Sequence, residues 1–324
     1  MLTVGGMRLL EPEQAGRSGE ERGCTRPFFV VGAQRSGTTL LRLMLDRHPR
    51  LAVPHESHFI PELARAADAP ASAEAFLSAL EQSVRFQEWQ VSLDEVRARL
   101  PDGPLDWRGA FDAAFRAYAA REGKARWGDK TPGYVRHVEL LRCIFPDLQL
   151  IHLVRDGRDV ALSLLDVSWY GGRLADAARL WAADVESGRA AAAALTDDAY
   201  LEVRYEDLVA DPEAVLRRVC RFLGEAFAPR MLGFHETAGQ KIPGHRQAWH
   251  ARTTAPMTDE SVGRWRTALS GRDRALFQRV AGAGLGELGY PLESASPAAR
   301  LASLPAWAAW RARRAVGRLR GRAP

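Results

Sequence analysis

The chain has 324 residues, 46% of them hydrophobic and 26% charged, a balance that supports a large core and excludes a wholly disordered chain, a collagen-like repeat or a coiled-coil rod. Its formal net charge of +5 is local: residues 301–324 hold six arginines and no acid, so the rest of the chain sums to −1. Cys24, Cys143 and Cys220 form neither a CxxC pair nor an even framework, which gives no support for a structural zinc site or a disulfide scaffold.

The first residues, MLTVGGMRLLEPEQ, lack the charged start and apolar run of a signal peptide, and no stretch approaches a membrane span. An intracellular, reduced protein is expected, cytoplasmic or peripheral at the inner face of a membrane. Residues 1–26 read as a loose lead-in. Residues 28–31 are a short apolar, β-branched run between Pro27 and Gly32, which predicts a buried strand. GAQRSGTT (32–39) follows, and then Leu40, Leu41, Met44 and Leu45 at helical spacing. Residues 51–53 predict a second short strand running into the loop PHESHF (54–59). Residues 64–121 are alanine-rich and helical in pattern, broken by prolines, with Phe76, Phe86, Trp89, Phe111, Phe115 and Tyr118 as core and no sign of chemistry. LQLIHLV (148–154) is the clearest central strand. It runs into RDGRD and the helical pattern VALSLLDVSW; residues 200–203 predict a further strand, then RYEDLVADP and a helix over about 212–223.

Apolar strands alternating with helices predict an α/β fold with a parallel sheet covered on both faces, and a ligand at the carboxyl ends of the strands. The loop at 32–39 has glycines five apart between a strand and a helix, so backbone N–H groups and a helix N-terminus face an anion. A triphosphate loop carries lysine after its second glycine, whereas here Thr38 follows Gly37 and the cation is Arg35; a kinase or other nucleotide phosphotransferase is therefore the weaker alternative. At the next strand end Arg155 and Arg158 arrive together, and Ser163 lies about two helical turns past Arg155. An arginine fork and a hydroxyl suit a second phosphate, with Arg158 open to the alternative of pairing with Asp156 or Asp159.

Between about residues 27 and 292 these segments resemble the sulfotransferases that use 3′-phosphoadenosine-5′-phosphosulfate (PAPS), a branch of the P-loop fold. QRSGTTLLRLMLDRHP (34–49) is similar to their 5′-phosphosulfate loop, in the arginine-containing form of carbohydrate-type, tyrosylprotein-type and many bacterial members. LVRDGRDVALS (153–163) is similar to their 3′-phosphate motif, and Arg155 and Ser163 fall on its binding positions. The resemblance implies a P-loop-type parallel sheet flanked by helices, with a helical insertion, and PAPS as sulfuryl donor without a metal. It implies donor binding by Arg35, Ser36, Gly37, Thr38, Thr39, Arg155 and Ser163, by Tyr205 in RYEDLVADP, and by Arg264 in VGRWR. WGDKTP (127–132) resembles a segment with an active-site lysine, here Lys130, and Asp129 is expected to orient it.

Sulfuryl transfer leaves negative charge on a phosphate oxygen, which Arg35, Lys130 and the loop N–H groups are expected to stabilise. The acceptor also needs a base, and the loop at 54–59 offers His55, Glu56 and His58. In tyrosylprotein-type and related members this loop carries a catalytic glutamate, a position that Glu56 occupies; a partly dry site would raise its pKa toward the useful range. Trp169 and Tyr170 are expected to line an acceptor pocket, and His235, His245 and His250 to lie in a lid or acceptor-side loop. The acceptor class stays open among carbohydrate, glycolipid, peptide and small molecule, with no nucleic acid expected. Residues 27–292 form the expected catalytic domain. Residues 293–324 form a basic tail, read either as a solvated, loose end or, through Leu304, Trp307, Trp310 and Val316, as a membrane-surface contact.

Overall fold

Strand β1 (Phe28–Gly32) is buried along its whole length, and its side chains alternate between two cores. Phe29 and Val31 face a helical layer, while Phe28 and Val30 face the opposite one, as the period of two along a strand requires. The structure is a computed structural model and describes residues 26–65, 68–242, 244 and 253–319. Cys24, His245, His250 and all of the lead-in but Arg26 lie outside the described residues.

The sheet is parallel and five-stranded, in the order β2 (Leu51–Ala52), β3 (Arg126–Lys130), β1, β4 (Gln149–Val154), β5 (Tyr200–Arg204). Register pairs Val30 with Lys130 on one side of β1 and with Ile151 on the other. The carboxyl ends of β1, β3 and β4 therefore lie side by side, at the edge where an open α/β sheet takes its ligand. The mixed α/β class, the parallel sheet and the flanking helices match the sequence expectation. Strand β3 was not expected: it reads RWGDK, too polar for a strand pattern, yet all five residues are buried.

One face of the sheet is covered by helices Thr38–Asp46 and Pro212–Leu223, whose Leu41, Leu45, Leu216 and Val219 pack on Ile151 and Leu153. The other carries the helical insertion between β2 and β3, where Phe59, Phe76, Phe86, Trp89, Phe111 and Phe115 form one aromatic core. The Phe115 and Trp127 rings stack with centroids 4.3 Å apart, which ties the insertion to β3; burying such a ring stabilises by roughly 1.5–3 kcal/mol. Beyond RDGRD the helix spans Gly157–Leu165 and stops before Trp169. The C-terminal helix Pro297–Leu319 lies on helix Gly271–Glu287 and buries Trp310 with Ala175 and Leu276. Among the described residues no helix is long and apolar enough to cross a membrane.

Candidate active site

The loop after β1 is shaped by two glycines that admit no side chain. A Cβ on Gly32 (φ 149°) would sit 2.3 Å from the carbonyl oxygen of Leu153, and one on Gly37 (φ 101°) 2.3 Å from the Tyr205 ring. Gly37 leads into helix Thr38–Asp46 without a side-chain cap and with no acid in the first turn. Its first N–H groups therefore remain available to an anion. Ser36 is fully buried, and its Oγ has no hydrogen-bond partner within the protein. An orphaned hydroxyl beneath an uncapped helix start fits a bound phosphate, since a buried unsatisfied polar group costs about 1–3 kcal/mol.

The second cluster leaves β4. Arg155 donates from Nη1 to the Arg35 carbonyl (3.0 Å) and from Nη2 to the Ser261 carbonyl (2.5 Å). Its guanidinium lies 4.4 Å from the Tyr205 ring centroid, and its Nε is buried without a partner. Arg35 in turn donates from Nε to Ser163 Oγ at 3.0 Å. Arg35, Ser163, Arg155 and Tyr205, drawn from three separate segments, thus close around one space. Arg158 takes the structural alternative. It is fully buried, chelates the Asp156 carboxylate at 2.9 and 2.7 Å and lies 3.5 Å from the Trp265 ring centroid. Asp159 accepts from the Gly263 and Trp265 N–H groups (2.7 and 2.9 Å), so RDGRD also secures the VGRWR segment. Arg264 pairs with Asp166 at 3.2 Å beside the cleft.

Facing these groups is the loop before helix Phe59–Ala64. Lys130, at the end of β3 and almost wholly buried, donates to Glu56 Oε1 at 2.5 Å and to Thr39 Oγ1 at 3.3 Å. His58 Nε2 lies 2.9 Å from Glu56 Oε2. Burial alone would raise the Glu56 carboxyl, but the Lys130 ammonium and the His58 hydrogen bond outweigh it and hold the group well below the usual carboxylate range. This reverses the rise expected from a dry site, because the same dryness strengthens the ion pair. Burial lowers the Lys130 ammonium despite its partner.

His55 points elsewhere. Its Nδ1 lies 3.2 Å from the Glu88 carboxylate, and burial, with Lys130 and Arg42 nearby, lowers its pKa to about 2. Its carbonyl accepts from Trp89 Nε1 at 2.7 Å, so the insertion, which showed no chemistry as a sequence, clamps this loop. Asp129 does not orient Lys130 through a hydrogen bond. Its carboxylate instead accepts from Ser57 Oγ at 3.0 Å and Thr131 Oγ1 at 3.3 Å, and Tyr134 OH meets Ser57 Oγ at 2.8 Å. Ser57 and Tyr134 escaped the sequence reading; Ser57's place between Glu56 and His58 was the available signal.

Arg35, Gly37, Thr38, Thr39 and Glu56 line one cleft of about 680 Å³ together with Arg155, Ser163, Tyr205 and Arg264. Ser36 and Lys130 are buried and are not among its lining residues; Lys130 reaches the lining residues Glu56 and Thr39. Arg85, His58 and Pro132 line the cleft on the Glu56 side, while Val167, Trp169, Phe234 and Met257 contribute apolar surface. Tyr170 packs instead against the core of helices Gly157–Leu165 and Leu174–Ala194. His235 opens helix His235–Lys241 and is not among the cleft residues.

The family model "Sulfotransferase family" matches residues 27–229, from β1 past helix Pro212–Leu223. A protein-tyrosine sulfotransferase 2 of Gallus gallus is 27% identical over 253 residues, covering 74% of this chain and 62% of the relative. Nodulation protein NoeE of Sinorhizobium fredii is 28% identical over 302 residues, covering 81% of this chain and 65% of the relative. The chain thus spans less than two thirds of the length of either relative. Among solved structures, the sulfotransferase domain of the Synechococcus PCC 7002 olefin synthase has a TM-score of 0.58 at 24% identity, covering 86% of this chain and 100% of that domain. The sheet order, the cradle after β1 and the match across the whole sheet have one reading: the chain belongs to the sulfotransferase family.

Proposed function

We infer that the protein transfers a sulfuryl group from PAPS to a hydroxyl or amine of an acceptor held in the cleft. The observation that carries this reading is the meeting of two phosphate-shaped sites in one cleft: the uncapped loop with its orphaned Ser36 hydroxyl, and Arg155 with its unpartnered Nε beside Ser163. The loop N–H groups, Ser36, Thr38 and Thr39 would hold the 5′ end, and Arg155 and Ser163 the 3′-phosphate, with Tyr205 and Arg264 beside them. Bound there, the nucleotide supplies an SO₃ group on a phosphate leaving group.

Glu56 takes the acceptor's proton. Lys130, Arg35 and the loop N–H groups meet the charge on the oxygen whose bond to sulfur breaks, as a preorganised anion site. Lys130 serves both ends: as its charge is drawn toward the leaving oxygen, Glu56 loses its stabilising partner and becomes a stronger base. Glu56 is favoured over His55 because His55 is turned onto Glu88 with its ring held neutral. His58 is favoured as the group that orients Glu56. We treat residues 27–292 as the catalytic unit. A peptide tyrosine is the acceptor named for several relatives, and carbohydrate, glycolipid or small-molecule hydroxyls suit the same chemistry. The phosphotransferase alternative is disfavoured by Thr38 standing where a triphosphate loop has lysine.

Calorimetric titration with 3′,5′-adenosine bisphosphate, set against ATP with Mg²⁺, tests the donor site. Micromolar binding of the bisphosphate and weak binding of ATP are expected; tight ATP binding with no bisphosphate binding overturns the reading.

A further inference from the structure

The C-terminal helix Pro297–Leu319 has no described residue among those that line the cleft. Its inner face is occupied: Ser303 and Trp310 are buried, and Ala306 and Trp307 pack beside them. The opposite face is apolar and open. Leu301 is 66% and Leu304 37% exposed, and Pro305, Ala308, Ala312 and Ala315, also exposed, continue the stripe at helical spacing.

Charge on this helix is of one sign. It carries Arg300, Arg311, Arg313, Arg314 and Arg318 and no acid, and among the described residues Arg300, Arg311 and Arg313 enter no ion pair. Arg311 and Arg314 lie over the Trp307 and Trp310 rings, 4.9 and 5.3 Å from the centroids, and like charges three apart repel on a helix. The helix dipole favours cations in the last turn, but it disfavours Arg300 in the first and gives the leucines nothing. An anionic, partly apolar surface offsets both costs.

We propose that this helix docks the protein on an anionic membrane surface. Leu301 and Leu304 enter the boundary between headgroups and acyl chains, and Arg300, Arg311 and Arg313 meet lipid phosphates on either side of the stripe. A nucleic acid would satisfy the arginines equally but leave the aliphatic stripe in water. Trp307 and Trp310 are not the anchors, because both are packed on the protein.

Flotation of the full chain with phosphatidylcholine vesicles, with and without phosphatidylglycerol, tests the proposal. Binding to the anionic vesicles alone is expected. It should fall about tenfold or more both in a Leu301→Asp, Leu304→Asp variant and in an Arg300→Glu, Arg313→Glu variant, with thermal melting unchanged since all four side chains are exposed. Failure to float with anionic vesicles at low salt overturns the proposal. So does partitioning that neither variant changes, or binding to duplex DNA that survives the leucine substitutions while vesicle binding is absent.

Discussion

At the scale of single residues the site depends on how one lysine is shared. Lys130 is buried, so its ammonium is held by what surrounds it: Glu56 on one side and Thr39, in the first turn of the helix after the glycine loop, on the other. Glu56→Gln keeps the shape of the site and removes the proton acceptor proposed above. Turnover should fall roughly 10²–10⁴-fold, the range for a lost general base, while calorimetric affinity for the bisphosphate stays within a few-fold. His55→Asn should keep most of its turnover, because the His55 ring faces Glu88 rather than the cleft. A collapse in His55→Asn with Glu56→Gln still active would move the base to the histidine.

The elements explain why these residues meet. The loop carrying Glu56 has little regular structure of its own and is pinned from two directions: by Asp129 and Tyr134 through Ser57, and by Trp89 through the His55 carbonyl. Trp89→Phe keeps the ring in the aromatic core and deletes one N–H donor. The expected outcome is a several-fold loss of kcat with the donor KM unchanged, since the loop loses position and the proposed nucleotide site does not; an unchanged kcat would show that the aromatic packing alone suffices. Strand β1, its glycine loop, strand β4 and helix Pro212–Leu223 were legible in the sequence because their apolar periods are clean and their breakers sit at the ends. Strand β3 was not legible, because Arg126, Asp129 and Lys130 are buried polar residues whose partners are distant in sequence. The clamping role of the insertion was hidden for the same reason: a tryptophan N–H bonded to a remote carbonyl leaves no local pattern. The candidate site residues were legible as motifs, whereas the roles of Arg158 and Asp159 in holding the VGRWR segment depend on contacts across the fold.

For the whole molecule, buried acids shape stability against pH. Asp129 and Asp184 are both pushed up to about 6 by burial, Asp184 in spite of Arg136 at 2.6 Å. A carboxyl whose folded pKa exceeds its unfolded value of 3.8 contributes stability that is full below that value and is lost as pH rises through about 6. Glu56 has the opposite sign, stabilising above its ordinary value of 4.5 and losing this as pH falls through its lower folded pKa. Asp184 lies away from the cleft, so Asp184→Asn isolates one contribution. Relative to the wild type, this variant should gain up to about 3 kcal/mol between roughly pH 4 and pH 7, read from urea midpoints. A constant difference across that range would mean that Arg136 neutralises the burial completely.

The sheet also determines which genetic changes the protein tolerates. Asp129 and Lys130 are neighbours on a strand, so their side chains leave opposite faces, one toward Ser57 and the other toward Glu56 and Thr39. A single-codon insertion or deletion within β3 exchanges the two faces. It would present a carboxylate to the anion cradle after β1 and bury an ammonium under the loop. Point substitutions in this strand can be graded in their harm, but length changes there abolish the site at once, so functional descendants of this chain are expected to vary in length in the connections around β3 and not within it.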